Sequence, residues 1–204
     1  MKATKSRLSA EERRADVLET ACEVFAKGSY RGATTADIAR GAGVTEPILY
    51  RHFASKRDLY LACLEQTWTE TREMWEAALA EETDPALWVA HLGRTYLSAR
   101  DKRGHIALLW VQAMTEASDD PEIRRFVRRQ MREVHDFVAD VIRRGQEAGG
   151  VFHDRDADAE AWIFIAVGLL GTVSKRLGGL VDEDFPKIIA SRRRWMTGRI
   201  DELP

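Results

Sequence analysis

Apolar residues along this chain return every three or four positions, and no stretch sustains the two-residue alternation of a half-buried strand. The pattern predicts an all-α fold. Its first periodic segment opens at Ser9-Ala10-Glu11-Glu12, a capping box in which the Ser9 hydroxyl accepts from a first-turn amide and Glu12 reaches back. A helix from about Ala10 to Lys27 follows, with Val17, Leu18, Ala21 and Phe25 on its apolar face and Gly28 as its stop. Asp84-Pro85 and Asp120-Pro121 each place an Asp cap before a proline, which a first helical turn tolerates because that amide has no helical partner. Beyond Pro121, apolar residues from Ile123 to Ile142 keep helical spacing until Gly149-Gly150, which makes that helix long. Leu59, Leu64, Trp68, Trp75 and Leu79 mark another long helix before Asp84, and Ile106, Leu109, Trp110, Ala113 and Met114 a shorter one before Asp119. Two more are expected, from about Asp156 to Arg176 and from Phe185 to Ile200. The whole amounts to about nine helices, without an internal repeat or low-complexity linker.

Between Thr34 and Lys56 the chain reads TTADIARGAGVTEPILYRHFASK, and nearly every residue has a mechanical use. Thr34 and Thr35 can cap a short helix that turns Ile38 and Ala39 inward. Gly41 and Gly43 suit a tight turn, Val44 plugs the joint, and the small Ala39 lets two helices approach. Thr45 is placed as a second cap, with Glu46 and Pro47 in the first turn that follows. This short helix should bury Leu49 and Phe53 and show Glu46, Pro47, Tyr50, Arg51 and His52 outward, where the first residues of a helix entering a major groove meet base edges. Ser55-Lys56 then opens the next helix, where amides and an ammonium can meet a phosphate together. A helical hairpin used only for packing would not require an exposed Tyr50, His52 and Lys56 beside two threonine caps.

The run GVTEPILYRHFASKRDLY resembles the recognition helix and following helix start of the TetR family of transcriptional regulators, including Leu49-Tyr50, His52-Phe53 and Lys56. The match covers about Ser9 to Leu64. The resemblance implies an N-terminal three-helix helix-turn-helix domain over residues 1–57, and a C-terminal helical effector-binding and dimerisation domain over residues 58–204. It also implies phosphate contacts from Thr34, Thr35, Tyr50, His52 and Lys56, with Thr45, Glu46, Pro47 and Arg51 near bases or adjoining backbone. Ala36 and Ile48 depart from the family, since polar or basic groups often stand at those positions. Fewer hydrogen bonds would then read the operator, with more weight on Glu46 accepting from cytosine and Pro47 touching a thymine methyl.

Charge agrees with such a head. Residues 1–57 hold 11 Lys+Arg against 7 Asp+Glu, and the remainder 20 against 26, so a net charge of −2 hides a basic head on an acidic body. One recognition helix reads too few base pairs for useful specificity, so a homodimer on a palindromic double-stranded operator is expected. Residues from Ala161 to Val173 are apolar on almost every side, which leaves one face for the core and another for a partner subunit. Trp162, Ile165, Leu169 and Val173 there, with Ile189, Trp195 and Met196 on the last helix, are the candidate dimer interface. An ordinary buried helix in a monomer is the alternative.

The candidate effector contacts are Trp68, Trp75, His91 and Tyr96, together with Trp110, Met114 and Phe137, although most of these residues would serve equally as core. Their character points to a small hydrophobic or aromatic effector. By the resemblance, an effector tilts the helix beginning near Ser55 and changes the separation of the recognition helices. A repressor without a small-molecule effector, constitutive or gated by a protein partner, is the second reading, and a filled interior would favour it.

Other chemistry finds little footing. Arg124, Arg125, Arg128, Arg129 and Arg132 read as the solvated face of a helix rather than a second nucleic-acid surface. His91, His105 and His135 lack paired metal spacing, so no metal is expected, nor any cofactor. Cys22 and Cys63 read as buried, reduced core thiols. No nucleophile elbow, phosphate loop or dinucleotide fingerprint supports an enzyme, and Glu116, Asp119 and Asp120 read as helix-end carboxylates. The apolar run is shorter than the roughly 20 residues of a membrane span. With no secretory signal in the sequence, a cytoplasmic location and no membrane partner are expected.

Overall fold

A computed structural model of the chain describes residues 9–102 and 105–199, without the side chains of residues 100–107. Nine helices form the described residues, and no strand occurs among them: α1 Ala10–Lys27, α2 Thr35–Gly41, α3 Glu46–His52, α4 Lys56–Glu81, α5 Trp88–Lys102, α6 His105–Glu116, α7 Pro121–Glu147, α8 Ala157–Arg176 and α9 Phe185–Thr197. The side chains of His105 and Ile106, and all of Ile200, lie outside the described residues.

Local chemistry sets most of these boundaries. The capping box is complete: the Glu12 amide donates to Ser9 Oγ at 3.1 Å, and the Ser9 amide to Glu12 Oε2 at 2.7 Å. Those bonds hold the Glu12 carboxyl below its ordinary range. Asp120 accepts from the Glu122 and Ile123 amides, and Asp156 from those of Asp158 and Ala159, so α7 and α8 start one residue after each cap. Asp84-Pro85 behaves differently. The Asp84 carboxylate accepts from the Ala86 amide, but residues 85–87 form a turn and α5 starts only at Trp88. Gly150 explains the delay, because a Cβ there would lie 2.4 Å from the Ala86 nitrogen. The turn is pressed against the loop after α7, and Glu82 secures it by accepting from the Asp84 amide and, through its carbonyl, from the Trp88 indole.

Two apolar clusters fill the interior. The first joins Val17, Leu18, Ala21 and Phe25 of α1 to Ile38, Leu49 and Phe53, to Leu59, Tyr60, Cys63 and Leu64 of α4, and to Leu109, Ala113, Ile123, Phe126 and Val127 of α6 and α7. Helices α6 and α7 therefore help to seal the N-terminal helices. The second gathers Trp68 and Trp75 of α4 with Leu92, Val138, Val141, Ile142, Ala161 and Met196. Helix α4 runs through both, about 39 Å long at 1.5 Å per residue. Each large side chain so buried stabilises the fold by roughly 1.5–3 kcal/mol.

Cys22 and Cys63 are buried and unbridged. Arg124 donates to the Ala117 and Ser118 carbonyls beyond the end of α6, while Arg125, Arg128, Arg129 and Arg132 are exposed along α7. By length and composition the whole of α8 is long and apolar enough to cross a membrane, although the run from Ala161 to Val173 is not. The helix packs along α7 and leaves Trp162, Ile163 and Val173 exposed.

Candidate functional site

The N-terminal face is built by two short helices and the turn between them. Thr34 caps α2, its hydroxyl accepting from the Asp37 amide at 3.1 Å and donating to the Asp37 carboxylate at 2.6 Å. Gly43 supplies the turn with φ 65°, a backbone conformation that a Cβ would strain. Gly41 has another task than the turn: it lies inside α2, and a Cβ there would sit 2.9 Å from Thr20 Cγ2 of α1. Thr45 holds the cap position of α3, but its side chain makes no capping bond. Leu49 and Phe53 are buried, as their spacing requires, and Ile48 is half-buried.

The outward residues form a small network. Thr35 donates to Glu46 Oε1 at 2.6 Å and lies 3.2 Å from the Tyr50 hydroxyl, so α2 holds the first turn of α3 through side chains. Glu46 is thus oriented before any DNA arrives, and Thr35 already has a partner within the protein. Tyr50 is 46% exposed, Pro47 and Arg51 are exposed, and His52 is half-buried. Lys56, the first residue of α4, sits 4.9 Å above the Tyr30 ring and 3.4 Å from the Arg31 carbonyl, and partial burial lowers its pKa.

Three contacts tie this face to the helices behind it. Arg31 pairs with Asp119 and, at 3.4 Å, with Glu116 at the end of α6. Arg57 pairs with Glu122 and, at 3.0 Å, with Asp120 at the start of α7. The Gln112 amide donates to the Gly28 carbonyl at 2.7 Å and the Ala26 carbonyl at 3.2 Å, closing the C-terminal end of α1.

Behind them lies a cavity of about 190 Å³. Trp68 and Trp75 of α4, Tyr96 of α5 and Trp110 of α6, four of the seven candidate effector contacts, line it. His91, Met114 and Phe137 do not. His91 turns to Glu82 at 3.3 Å, and Met114 packs on the first cluster. Phe137 stacks on Trp75 at 5.6 Å between ring centroids, behind the cavity wall. Ile165 and Met196, expected at a subunit surface, are buried inside this chain, and both line the cavity. Each lies on the inward face of its helix. Leu169 and Ile189 are half-buried and also line it, whereas Trp162, Val173 and Trp195 are exposed.

Comparison with known proteins agrees with this geometry. Residues 17–63 match the model of bacterial regulatory proteins of the tetR family, and residues 85–168 that of the BetI-type transcriptional repressor C-terminal domain. The transcriptional regulator TtgR of Pseudomonas putida is 31% identical over 188 residues, covering 81% of this chain and 88% of that protein. The chain belongs to the TetR family. It is a helix-turn-helix transcriptional regulator. The activator FasR of Mycolicibacterium smegmatis is 48% identical over only 61 residues, 30% of this chain and 28% of that protein. A solved transcriptional regulator from Saccharomonospora viridis, in complex with choline, superposes with a TM-score of 0.81 at 26% identity, covering 93% of this chain and all of that one.

Several residues of the site escaped the sequence. Phe164 of α8 and Phe185 of α9 line the cavity beside Arg94, Arg192, Arg193 and Glu160. The all-round apolar character of α8 was the available signal, since such a helix can face a core, a cavity and a partner at once. No equivalent signal marked the arginines, whose spacing on α5 and α9 reads as surface charge. Among the described residues no group of His, Cys, Asp and Glu gathers at a metal site. His135 instead stacks on Trp162 and lies 3.1 Å from the Asp158 carbonyl.

Proposed function

We propose that this regulator is a homodimeric repressor that grips a palindromic operator through α3 and is released when a small molecule enters the cavity. The supporting observation is one continuous helix: α4 begins with Lys56 at the DNA-facing end and carries Trp68 and Trp75 at the cavity. The helix-turn-helix head over residues 1–57 and the regulatory body over residues 58–204 are then the functional divisions. Tyr50, Lys56, His52, Thr34 and Thr35 position the phosphates, while Arg51, Glu46, Pro47 and Thr45 meet base edges and adjoining backbone. Trp162, Val173 and Trp195, exposed on α8 and α9, form the core of the subunit interface. A neighbour solved with choline supports occupancy of the body by a small molecule, and the BetI-type match supports repression as the sign.

Release requires that the effector bind the DNA-incompetent state more tightly than the DNA-bound one. A tilt of α4 then changes the spacing of the two recognition helices, and both half-sites can no longer be engaged together. A filled interior would have favoured an effector-free repressor; the cavity favours the ligand-gated reading. The decisive experiment is a genome-wide binding-site selection with purified protein, repeated with cell extract. A palindromic site lost on adding extract supports the proposal. An asymmetric site, or one indifferent to every extract, overturns it. Gel filtration at micromolar protein tests the dimer separately.

A further inference from the structure

Helices α5 and α8 meet at the cavity wall through an exchange of rings and glycines. Phe164 of α8 lies over Gly93 of α5, where a Cβ would stand 3.6 Å from its Cε2. Tyr96 of α5 lies over Gly168 of α8, where a Cβ would stand 3.7 Å from its Cε1. All four residues line the cavity, and both rings flank Trp75 of α4, at 5.9 Å for Phe164 and 6.4 Å for Tyr96 between centroids. Separations of 3.6 and 3.7 Å are ordinary van der Waals contacts, so the helices could keep their spacing with alanine at either position. Glycine inside a helix is also disfavoured against alanine. Packing and helix propensity would both accept alanine here, so the glycines are accounted for by the space they leave beside two rings of the wall.

Among the described residues, the charged groups at the wall are engaged by the protein itself. Glu160 accepts from the Trp195 indole at 2.9 Å through Oε1 and pairs with Arg192 through Oε2, and Arg94 and Arg193 also interact within the protein. The rest of the wall is mostly apolar. An ionic ligand would lose its water there without gaining a counter-ion, a cost that an uncharged one does not meet. Resting on the ligand-gated reading above, we infer that Gly93 and Gly168 set the width of a slot among Trp75, Tyr96 and Phe164, and that the effector is an uncharged apolar molecule that inserts a single aromatic ring there. Phe164 already meets Trp75 edge to face, the arrangement that a third ring would extend. Size agrees: an apolar cavity of ~150 Å³ takes up benzene, so about 190 Å³ holds one ring with short substituents.

Tryptophans in the cavity wall supply the readout, since a ligand seated against them changes their emission. The full-length protein is titrated by intrinsic fluorescence with toluene and p-xylene, with benzoate and benzylammonium as charged counterparts of toluene, and with choline. Toluene should bind at least tenfold more tightly than any of the three ions. Gly93→Ala and Gly168→Ala should each weaken p-xylene at least threefold, and the double variant by more, while Tm without ligand stays at or above that of the unchanged protein. Affinity lost with stability kept separates a slot for a ligand from a packing requirement. An ion binding as tightly as toluene, or neither toluene nor p-xylene binding, would overturn the uncharged single-ring class. Unchanged p-xylene affinity in the double variant, or a fall in Tm in either single variant, would overturn the role of the glycines. Operator release is measured independently: a ring compound that binds without releasing DNA upholds the slot and refutes the gating.

Discussion

One carbon added at Gly41 tests how closely α2 is fitted to α1. In Gly41→Ala the new Cβ would stand 2.9 Å from Thr20 Cγ2, nearer than packed carbons approach, so a helix or the threonine must shift. Two effects of opposite sign compete. Alanine is favoured over glycine inside a helix by about 0.5–1 kcal/mol, and by less at the last residue of α2. Overpacking costs roughly 1–3 kcal/mol, so a net loss of about 0.5–2 kcal/mol is expected. At roughly 2–4 °C per kcal/mol for a chain of this size, Tm falls by about 1–8 °C. Thr20→Ser removes the offending methyl and by itself costs under ~0.8 kcal/mol, one methylene equivalent at a half-buried site. The double variant should then be more stable than Gly41→Ala alone, with a coupling of about 1–2 kcal/mol. Thermal unfolding of all four proteins at one fixed concentration closes the cycle, because self-association would make Tm depend on concentration. A double variant no more stable than Gly41→Ala would refute this contact as the cause. Operator affinity should follow the same order, since α2 holds Glu46 and Tyr50 through Thr35.

Three further outcomes are expected. Lys56→Ala should weaken operator binding about equally across sequences and reduce the slope of log K against log salt by roughly one, as measured by salt-dependent titration. Trp75→Phe leaves the buried Leu92 carbonyl without its indole donor at 3.0 Å and opens space beside Phe137, so chemical denaturation should show a loss of about 1–3 kcal/mol. Acid should destabilise the fold through Asp84 and Glu82. Asp84 is lowered chiefly by its hydrogen bond from Arg199, and Glu82 chiefly by the Asp84 amide. The folded state favours their ionised forms, so their contribution is fully present above the unfolded carboxylate range of about 3.9–4.3 and disappears as pH falls through the lower folded values. Asp84→Asn should flatten that acid limb in melts from pH 6 to pH 2.

The DNA-facing motif was legible because its determinants are local. Thr34 caps the helix beside it, Gly43 takes a positive φ within the turn, and Leu49 and Phe53 follow from spacing alone. Tertiary contacts overrode local signals elsewhere. Thr45 has the residue type of a cap without making the bond, and Asp84-Pro85 signals a helix that the approach of Gly150 defers to Trp88. For the cavity, periodicity separates inward from outward positions but does not reveal which inward side chains meet each other and which border a void. Phe137 and Met114 point inward and close on neighbours; Trp68 and Trp110 point inward and border space. Arg31 and Arg57 counted only as positive charge until the fold brought them to the corner between α6 and α7.

That corner bears on the proposed coupling between a ligand in the body and the head. Trp110 belongs to both apolar clusters and lines the cavity, so α6 touches the ligand space and the sealed N-terminal core with one side chain. Two residues later, Gln112 holds the Gly28 and Ala26 carbonyls of α1, and Glu116 at the end of the same helix meets Arg31. A 12-residue helix is about 18 Å long and moves nearly as a rigid body, so displacing Trp110 displaces donors on which the end of α1 depends. Helix α4 provides the second path, from Trp68 and Trp75 to Lys56. Moving α6 loads the Gln112 and Arg31 contacts, and moving α4 loads the Arg57 contacts with the start of α7. Under the gating proposed above, a shift of both helices disturbs all of these contacts together. A ligand seated between Trp75 on α4 and Trp110 on α6 is placed to favour that shift, because it can gain contact with both helices at once.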